Sequence, residues 1–388
     1  MSKAAPIVSG SKGLSHGNVL ALLILILLGP LPLLAADLSP TAAAATGATT
    51  TAAAPKFGAA SHPAAAAPKS TAEETIFFTV NAGGHQVLGR TNAAGRCKAF
   101  LGRPGAGWTS FPDPGLDGDD LMAATAPASD HWILLSSRGG AGANLWLVSA
   151  DGRSMERLTD DERGLLDPAD VVPESVSLSP DGKMVAWVQR GRAWAMDLVR
   201  RQPRTLGVET DVRAVSWSPD GSWLGLVAGD SIHKIGPDGE PDMVLSPYGC
   251  KQANLLWEPT PKSDQLYFMG GGVRRVDNQR RTTLLQPSPV EPNNLSLFAA
   301  GKEAVFLDLA ADGNPEIYRV TLASKPALTQ VTQGGAKAVW SSAQNIYFLR
   351  DNQLWRCDAD GAKARPLVMP PVKSVSIGSM PPLQGVCP

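Results

Sequence analysis

Carboxylates are the chemistry-bearing side chains that cluster most visibly in this chain. Four fall within Phe111-Pro-Asp-Pro-Gly-Leu-Asp-Gly-Asp-Asp120. Calcium takes about six to eight oxygen ligands, so Asp113, Asp117, Asp119 and Asp120 are candidates to share a Ca2+. Their spacing departs from the Asp-x-Asp-x-Asp-Gly pattern, and a solvated Pro/Gly/Asp loop is the competing reading. A second acidic stretch, Asp160-Asp-Glu-Arg-Gly-Leu-Leu-Asp-Pro-Ala-Asp170, groups Asp160, Asp161, Asp167 and Asp170. Long connections on a repeat scaffold often carry binding, so these four are read as partner contacts. Trp108, within Gly105-Ala-Gly-Trp-Thr-Ser-Phe111, is read the same way, as an exposed aromatic.

Other reactive groups are sparse. There is no Gly-x-Ser-x-Gly elbow, no His-Glu-x-x-His and no phosphate-binding glycine loop. Beyond residue 72 the only histidines are His85, His131 and His233. They fall at different places in the repeat described below, so no shared metal centre is expected. No catalytic residue and no cofactor is assigned.

The elements that carry these residues are short strands. Val176-Ser-Leu-Ser-Pro-Asp-Gly-Lys-Met-Val-Ala-Trp-Val188 matches Val215-Ser-Trp-Ser-Pro-Asp-Gly-Ser-Trp-Leu-Gly-Leu-Val227. In each, period-two alternation on both sides of a Pro-Asp-Gly turn predicts a hairpin. Third strands follow at Leu145-Trp146, Ala193-Trp194, Ile232-His233, Ile317-Tyr318 and Leu354-Trp355, with fourth strands after a tight turn. Asp151, Asp181, Asp220, Asp238, Asp312 and Asp360 fall in such turns and are read as turn chemistry. Four strands per unit of about 40 residues is the pattern of a β-propeller blade.

Six units start near residues 121, 175, 212, 253, 294 and 337. A partial unit at Thr75–Val80, Gln86–Arg90 and Cys97–Leu101 lacks a first strand, which Val372–Ile377 resembles. The expectation is an all-β, seven-bladed propeller of four-stranded antiparallel blades over 73–388, its ring closed by the C-terminal strand. Six or eight blades, a β-sandwich and two separate β domains are the alternatives. That closure would set Cys97 near Cys387, a candidate disulfide in an oxidising compartment. Cys250 and Cys357 fall in different blades and are read as unpaired.

Composition agrees with strands and turns. Charged residues make up 18% and net charge is -1, which gives no support to nucleic-acid binding. Gly (39) and Pro (32) argue against a mainly helical protein. The first 72 residues hold Lys3, Lys12, Lys56 and Lys69 but only Asp37, so the remainder is mildly acidic. Val19–Ala36 is an apolar run behind a basic flank, the pattern of a signal peptide. An uncleaved signal anchor in the inner membrane is the alternative. Residues 37–72 are Ala/Thr/Pro-rich and read as a flexible linker.

The Ser179–Gly182 and Ser218–Gly221 turns, with Asn144–Thr159, resemble the WD-like repeats of the TolB-type periplasmic propeller. They are also similar to propeller modules of prolyl-oligopeptidase-like proteins. The resemblance covers about residues 75–388. It implies an exported propeller, although TolB's folded α/β domain is replaced here by the Ala/Thr/Pro-rich linker. The functional expectation is a non-enzymatic protein-binding or scaffold module of the cell envelope, periplasmic or extracellular. The alternative is a propeller enzyme, a lyase or hydrolase of a sugar or lactone, working in a central funnel.

Overall fold

A computed structural model describes residues 73–380 except 97, 114–116, 127–128, 140–141, 160–174, 208–210, 248–254, 259, 261–263, 288–292, 298–302, 310–314, 322–326, 341–344 and 369–371. The leader, the linker, Asp160, Asp161, Asp167, Asp170, Cys97, Cys250 and Cys387 lie outside the described residues. So does the disulfide reading.

The ordered elements are strands, and no α-helix occurs among the described residues. The first are β1 (Glu73–Ala82), β2 (His85–Asn92), β3 (Ala99–Leu101) and β4 (Trp108–Thr109). Six antiparallel sheets follow in chain order. They are β5 (Asp120–Ala124), β6 (His131–Ser136), β7 (Asn144–Ser149) and β8 (Met155–Arg157); β9 (Ser177–Leu178), β10 (Met184–Gln189), β11 (Arg192–Asp197) and β12 (Pro203–Thr205); β13 (Val212–Trp217), β14 (Leu224–Ala228), β15 (Ser231–Ile235) and β16 (Asp242–Ser246); β17 (Leu255–Trp257), β18 (Leu266–Met269), β19 (Gly272–Val276) and β20 (Thr282–Pro287); β21 (Asn293–Leu297), β22 (Glu303–Leu309), β23 (Pro315–Thr321) and β24 (Leu328–Gln333); and β25 (Ala336–Trp340), β26 (Asn345–Arg350), β27 (Gln353–Asp358) and β28 (Arg365–Val368). The last strand, β29 (Val372–Met380), returns to pair with β1, Ile76 opposite Ile377.

This corrects the expectation of seven four-stranded blades closed into a ring. The structure has six four-stranded blades in a propeller-like arrangement, each an open sheet, and one five-stranded sheet in the order β29-β1-β2-β3-β4. The fifth strand arises from the glycine-rich stretch after Leu101. Gly102 N–H donates to the Gly107 carbonyl (2.9 Å), folding Trp108 back against Leu101.

The cores lie between successive sheets, and the second strand of a sheet serves two of them. On β10, Val185 and Trp187 pack with Ile133 and Leu135, while Ala186 and Val188 pack with Trp217 and Leu226. Both faces are buried, so the period-two pattern is apolar throughout. Burying one such side chain contributes about 1.5–3 kcal/mol. Two of the ten tryptophans, Trp132 and Trp187, are fully buried on such strands.

The Ser-x-Asp-Gly turns repeat atom for atom. Ser179 Oγ donates to Asp181 Oδ1 (2.7 Å), which also accepts Lys183 N–H (3.1 Å), while Met184 N–H donates to Ser179 Oγ (2.9 Å). Ser218 and Asp220 reproduce this with Ser222 and Trp223, as do Ser149 and Asp151 with Arg153 and Ser154. Gly182 and Gly221 hold φ of 72° and 73°, which a Cβ disfavours. Burial works against ionisation of Asp181 and Asp220, but the serine hydroxyls and backbone N–H groups outweigh it and hold both carboxyls below the ordinary value.

A second device joins neighbours: the turn between third and fourth strands seats on the preceding sheet. Gly152 lies against Leu101 and Trp108, Gly239 against Leu206 and Gly207, and Gly361 against the Val331 carbonyl. Gly95, after β2, lies against Leu367 of β28 in the same way.

Two outcomes follow. A Cβ at Gly361 (φ 82°) would overlap the Val331 carbonyl oxygen, whereas one at Gly105 (φ 88°) meets nothing. Gly105→Ala should cost about 1–2 kcal/mol of backbone strain, and Gly361→Ala at least about 3 kcal/mol, read by urea denaturation. A depressed folded pKa stabilises above the unfolded value of about 3.9 and that contribution is lost as pH falls through the folded value. The urea midpoint should therefore decline below about pH 4, and Asp181→Asn with Asp220→Asn should flatten that decline.

Candidate functional site

The connection from β4 to β5 and its surroundings collect most of the residues with chemical promise. Asp120, the first residue of β5, is fully buried. Arg138, just beyond β6, is 5% exposed and holds it through Nε to Oδ1 (2.6 Å) and Nη2 to Oδ2. Ser136 Oγ donates to Asp120 Oδ1 (2.8 Å) and Leu88 N–H to Oδ2 (2.9 Å). Arg138 also reaches the Gly102 and Leu101 carbonyls. One bidentate pair thus ties β2, the end of β3, β5 and β6 together.

Asp119 beside it faces outward. Its Oδ1 accepts Gln86 N–H (2.7 Å) and lies 3.6 Å from His85 Nδ1. Asp113 pairs with Arg103 Nε (2.7 Å). Asp117 is exposed, and its carbonyl accepts Gly139 N–H (3.2 Å). Three of the four carboxylates that sequence grouped for Ca2+ therefore meet different partners: Asp113 on Arg103, Asp119 on the Gln86 N–H and Asp120 on Arg138. Among the described residues, no three His, Cys, Asp or Glu side chains converge on a point that could hold a metal. The described histidines each meet one aspartate: His85 with Asp119, His131 with Asp130 and His233 with Asp242.

Trp108 is placed differently from its reading as an exposed contact. It is 8% exposed, donates from Nε1 to the Ala150 carbonyl (3.0 Å) and stacks on Trp132 with centroids 5.8 Å apart. The Arg90 guanidinium lies over its ring, 4.5 Å from the centroid. The aromatic that stands out is Phe111, three residues on and 81% exposed. The Phe111 carbonyl accepts Thr109 Oγ1 (2.7 Å), and the Arg103–Asp113 pair holds the chain just beyond. Sequence reasoning missed Phe111. Its only signal was a large apolar residue followed by proline, outside any alternating run.

Cys357, buried on β27, is free, and burial pushes its thiol up to about 12, which removes it as a nucleophile.

No protein-family model matches this chain, and no curated protein matches it. Solved structures do share its fold. TolB from Acinetobacter baumannii aligns at 14% identity and a TM-score of 0.50, over 78% of this chain and 66% of that one. An oligogalacturonate lyase in complex with manganese aligns at 11% and 0.51, over 76% of this chain and 85% of that one. An oligogalacturonate lyase from Vibrio parahaemolyticus aligns at 9% and 0.52, over 77% and 85%. At these identities the likeness is one of fold alone, a propeller fold shared with TolB. The chain spans about two thirds of the TolB chain that it matches.

Removing Arg138 leaves the Asp120 carboxylate buried with its cation gone. Arg138→Ala should destabilise the protein by about 3–5 kcal/mol, measured by chemical denaturation.

Proposed function

We propose that this chain is an exported, non-enzymatic propeller that binds a protein partner in the cell envelope, in the periplasm or outside the cell. The observation that carries this is Phe111, a large aromatic left almost fully exposed on a loop whose flanks are pinned. Aromatic anchors of this kind concentrate binding energy at protein interfaces. The exposed carboxylate of Asp117 and the half-buried one of Asp119 lie along the same connection and suit a partner with basic residues around an apolar pocket.

The fold shared with TolB and the signal-like leader support the envelope setting. No helix of the described residues is long and apolar enough to cross a membrane. The acidic connection carrying Asp160, Asp161, Asp167 and Asp170 belongs to the same proposal as a second contact. The likeness to oligogalacturonate lyases is one of fold, and no observation on this chain favours an enzymatic reading over the binding one.

The test is affinity capture from envelope extracts with the mature chain and Phe111→Ser. Loss of the captured partner by about tenfold or more, with an unchanged melting temperature, is the expected result. Equal capture by both rejects Phe111 as the anchor.

A further inference from the structure

The outer strand of each sheet has backbone groups with no strand beyond them, and such an edge pairs with another chain unless something blunts it. Most outer strands here are blunted. β8 is three residues long and holds Glu156 and Arg157, and β12, also three, holds Pro203 and Arg204. β28 opens on Arg365-Pro366, and the five-stranded sheet ends in the two-residue β4. β16 begins at Asp242, directly behind Pro241.

β24 is different. Leu328-Thr-Gln-Val-Thr-Gln333 is six residues long and holds neither a charge nor a proline. Among the outer strands only β20 is as long, and it too is uncharged. The far end of β24 is covered by the next sheet. There the Gly361 turn abuts the Val331 carbonyl, and Arg350 Nη2 donates to the Gln333 carbonyl (2.8 Å). Leu328, Thr329 and Gln330 before it are exposed in succession. Alternate residues of a strand point to opposite faces, so this stretch is open on both. Among the described residues its backbone partners lie on β23 alone.

Apolar side chains gather along the same flank. Leu328 is 46% exposed, Leu284 on β20 43% and Val244 on β16 40%. These three strands are the outer strands of consecutive sheets, which pack through the cores around Phe268 and Tyr267. The other two large apolar side chains that stand exposed among the described residues, Phe111 and Val199, lie beside different sheets.

We infer that this flank is the interface of a symmetric homodimer in which the β24 strands of two copies run antiparallel. A two-fold interface sets a patch against itself, so the patch must be self-complementary. Like charges directly opposite one another across paired strands are destabilising, and an uncharged strand meets its own copy without them. The surface around Phe111, with the exposed carboxylate of Asp117, lacks that property. In the dimer, main-chain hydrogen bonds run along Leu328–Gln330, and the aliphatic side chains beside them supply apolar contact. The interface is independent of the partner proposed for Phe111.

The test is sedimentation velocity of the mature chain from about 1 to 100 µM, a range in which a dimer of micromolar affinity assembles. A dimer is expected, and the amides of 328–330 that β23 leaves free should exchange more slowly as it forms. Leu328→Lys with Leu284→Lys sets like charges across the two-fold and should weaken dimerisation at least about tenfold. Melting at about 0.1 µM, where monomer prevails, and Phe111-dependent capture should be unchanged in that variant. Val199→Lys, on another sheet, should dimerise as the parent does. A monomer throughout the range overturns the proposal, as does a dimer that the double lysine variant leaves intact or that Val199→Lys weakens equally. Slow exchange of the free β24 amides in a monomer at every concentration overturns it in favour of another segment of the same chain. Slowing only when an envelope extract is added overturns it in favour of a different protein.

Discussion

Everything in this structure rests on the seating of one sheet against the next. A short antiparallel sheet with one face in water is marginal by itself. Here the second strands bury both faces, as on β10, and the turn between third and fourth strands fits a neighbour's outer strand at Gly152, Gly239 and Gly361. At Gly361 the contact needs a glycine because a Cβ would overlap the Val331 carbonyl, while at Gly152 and Gly239 the positive φ of 72° and 97° favours one. The Ser-x-Asp-Gly bonding is therefore more than local punctuation. It stiffens hairpin ends that neighbouring sheets meet, as where Gly182 abuts Ser129.

Polar side chains follow the same logic at the junctions. Asp120 and Arg138 are buried as a bidentate pair with further backbone and hydroxyl partners. Lys234 is buried against Trp223 and Trp257 and reaches the next sheet through Asp264 and Asn278. Such charges contribute little net stability against an apolar replacement, but losing one partner is costly. Their role is geometric: they admit one relative position of two sheets and penalise others.

The legible part of the fold was the part with period and turn chemistry. The Pro-Asp-Gly hairpins and the third-strand aromatics are visible as patterns of residues close in sequence, and the C-terminal strand beside the N-terminal one as the first strand that a partial unit lacks. The fifth strand was not, because Trp108 and Thr109 pair with β3 only once Gly102 and Gly107 fold the chain back. The same long-range contact hid the roles of Trp108 and Phe111. Nothing local says that Trp132 awaits the first and that nothing covers the second. The carboxylates of 113–120 looked like a cluster because they are neighbours in sequence. Arg103, Arg138 and the Gln86 N–H, 10 to 33 residues away in sequence, each engage one of them.

The pairing of β29 with β1 has a bearing on how the molecule comes into being. These strands are about 300 residues apart, Ile76 opposite Ile377, and loop closure over such a span comes late. Until β29 arrives, one edge of β1 offers unpaired backbone, with Ile76 and Phe78 beside it lacking part of their cover. Blades in the middle of the chain can form as local hairpins while this sheet waits. The emerging chain thus keeps an adhesive edge at β1 from early in its synthesis, and the arrival of β29 is the event that covers it.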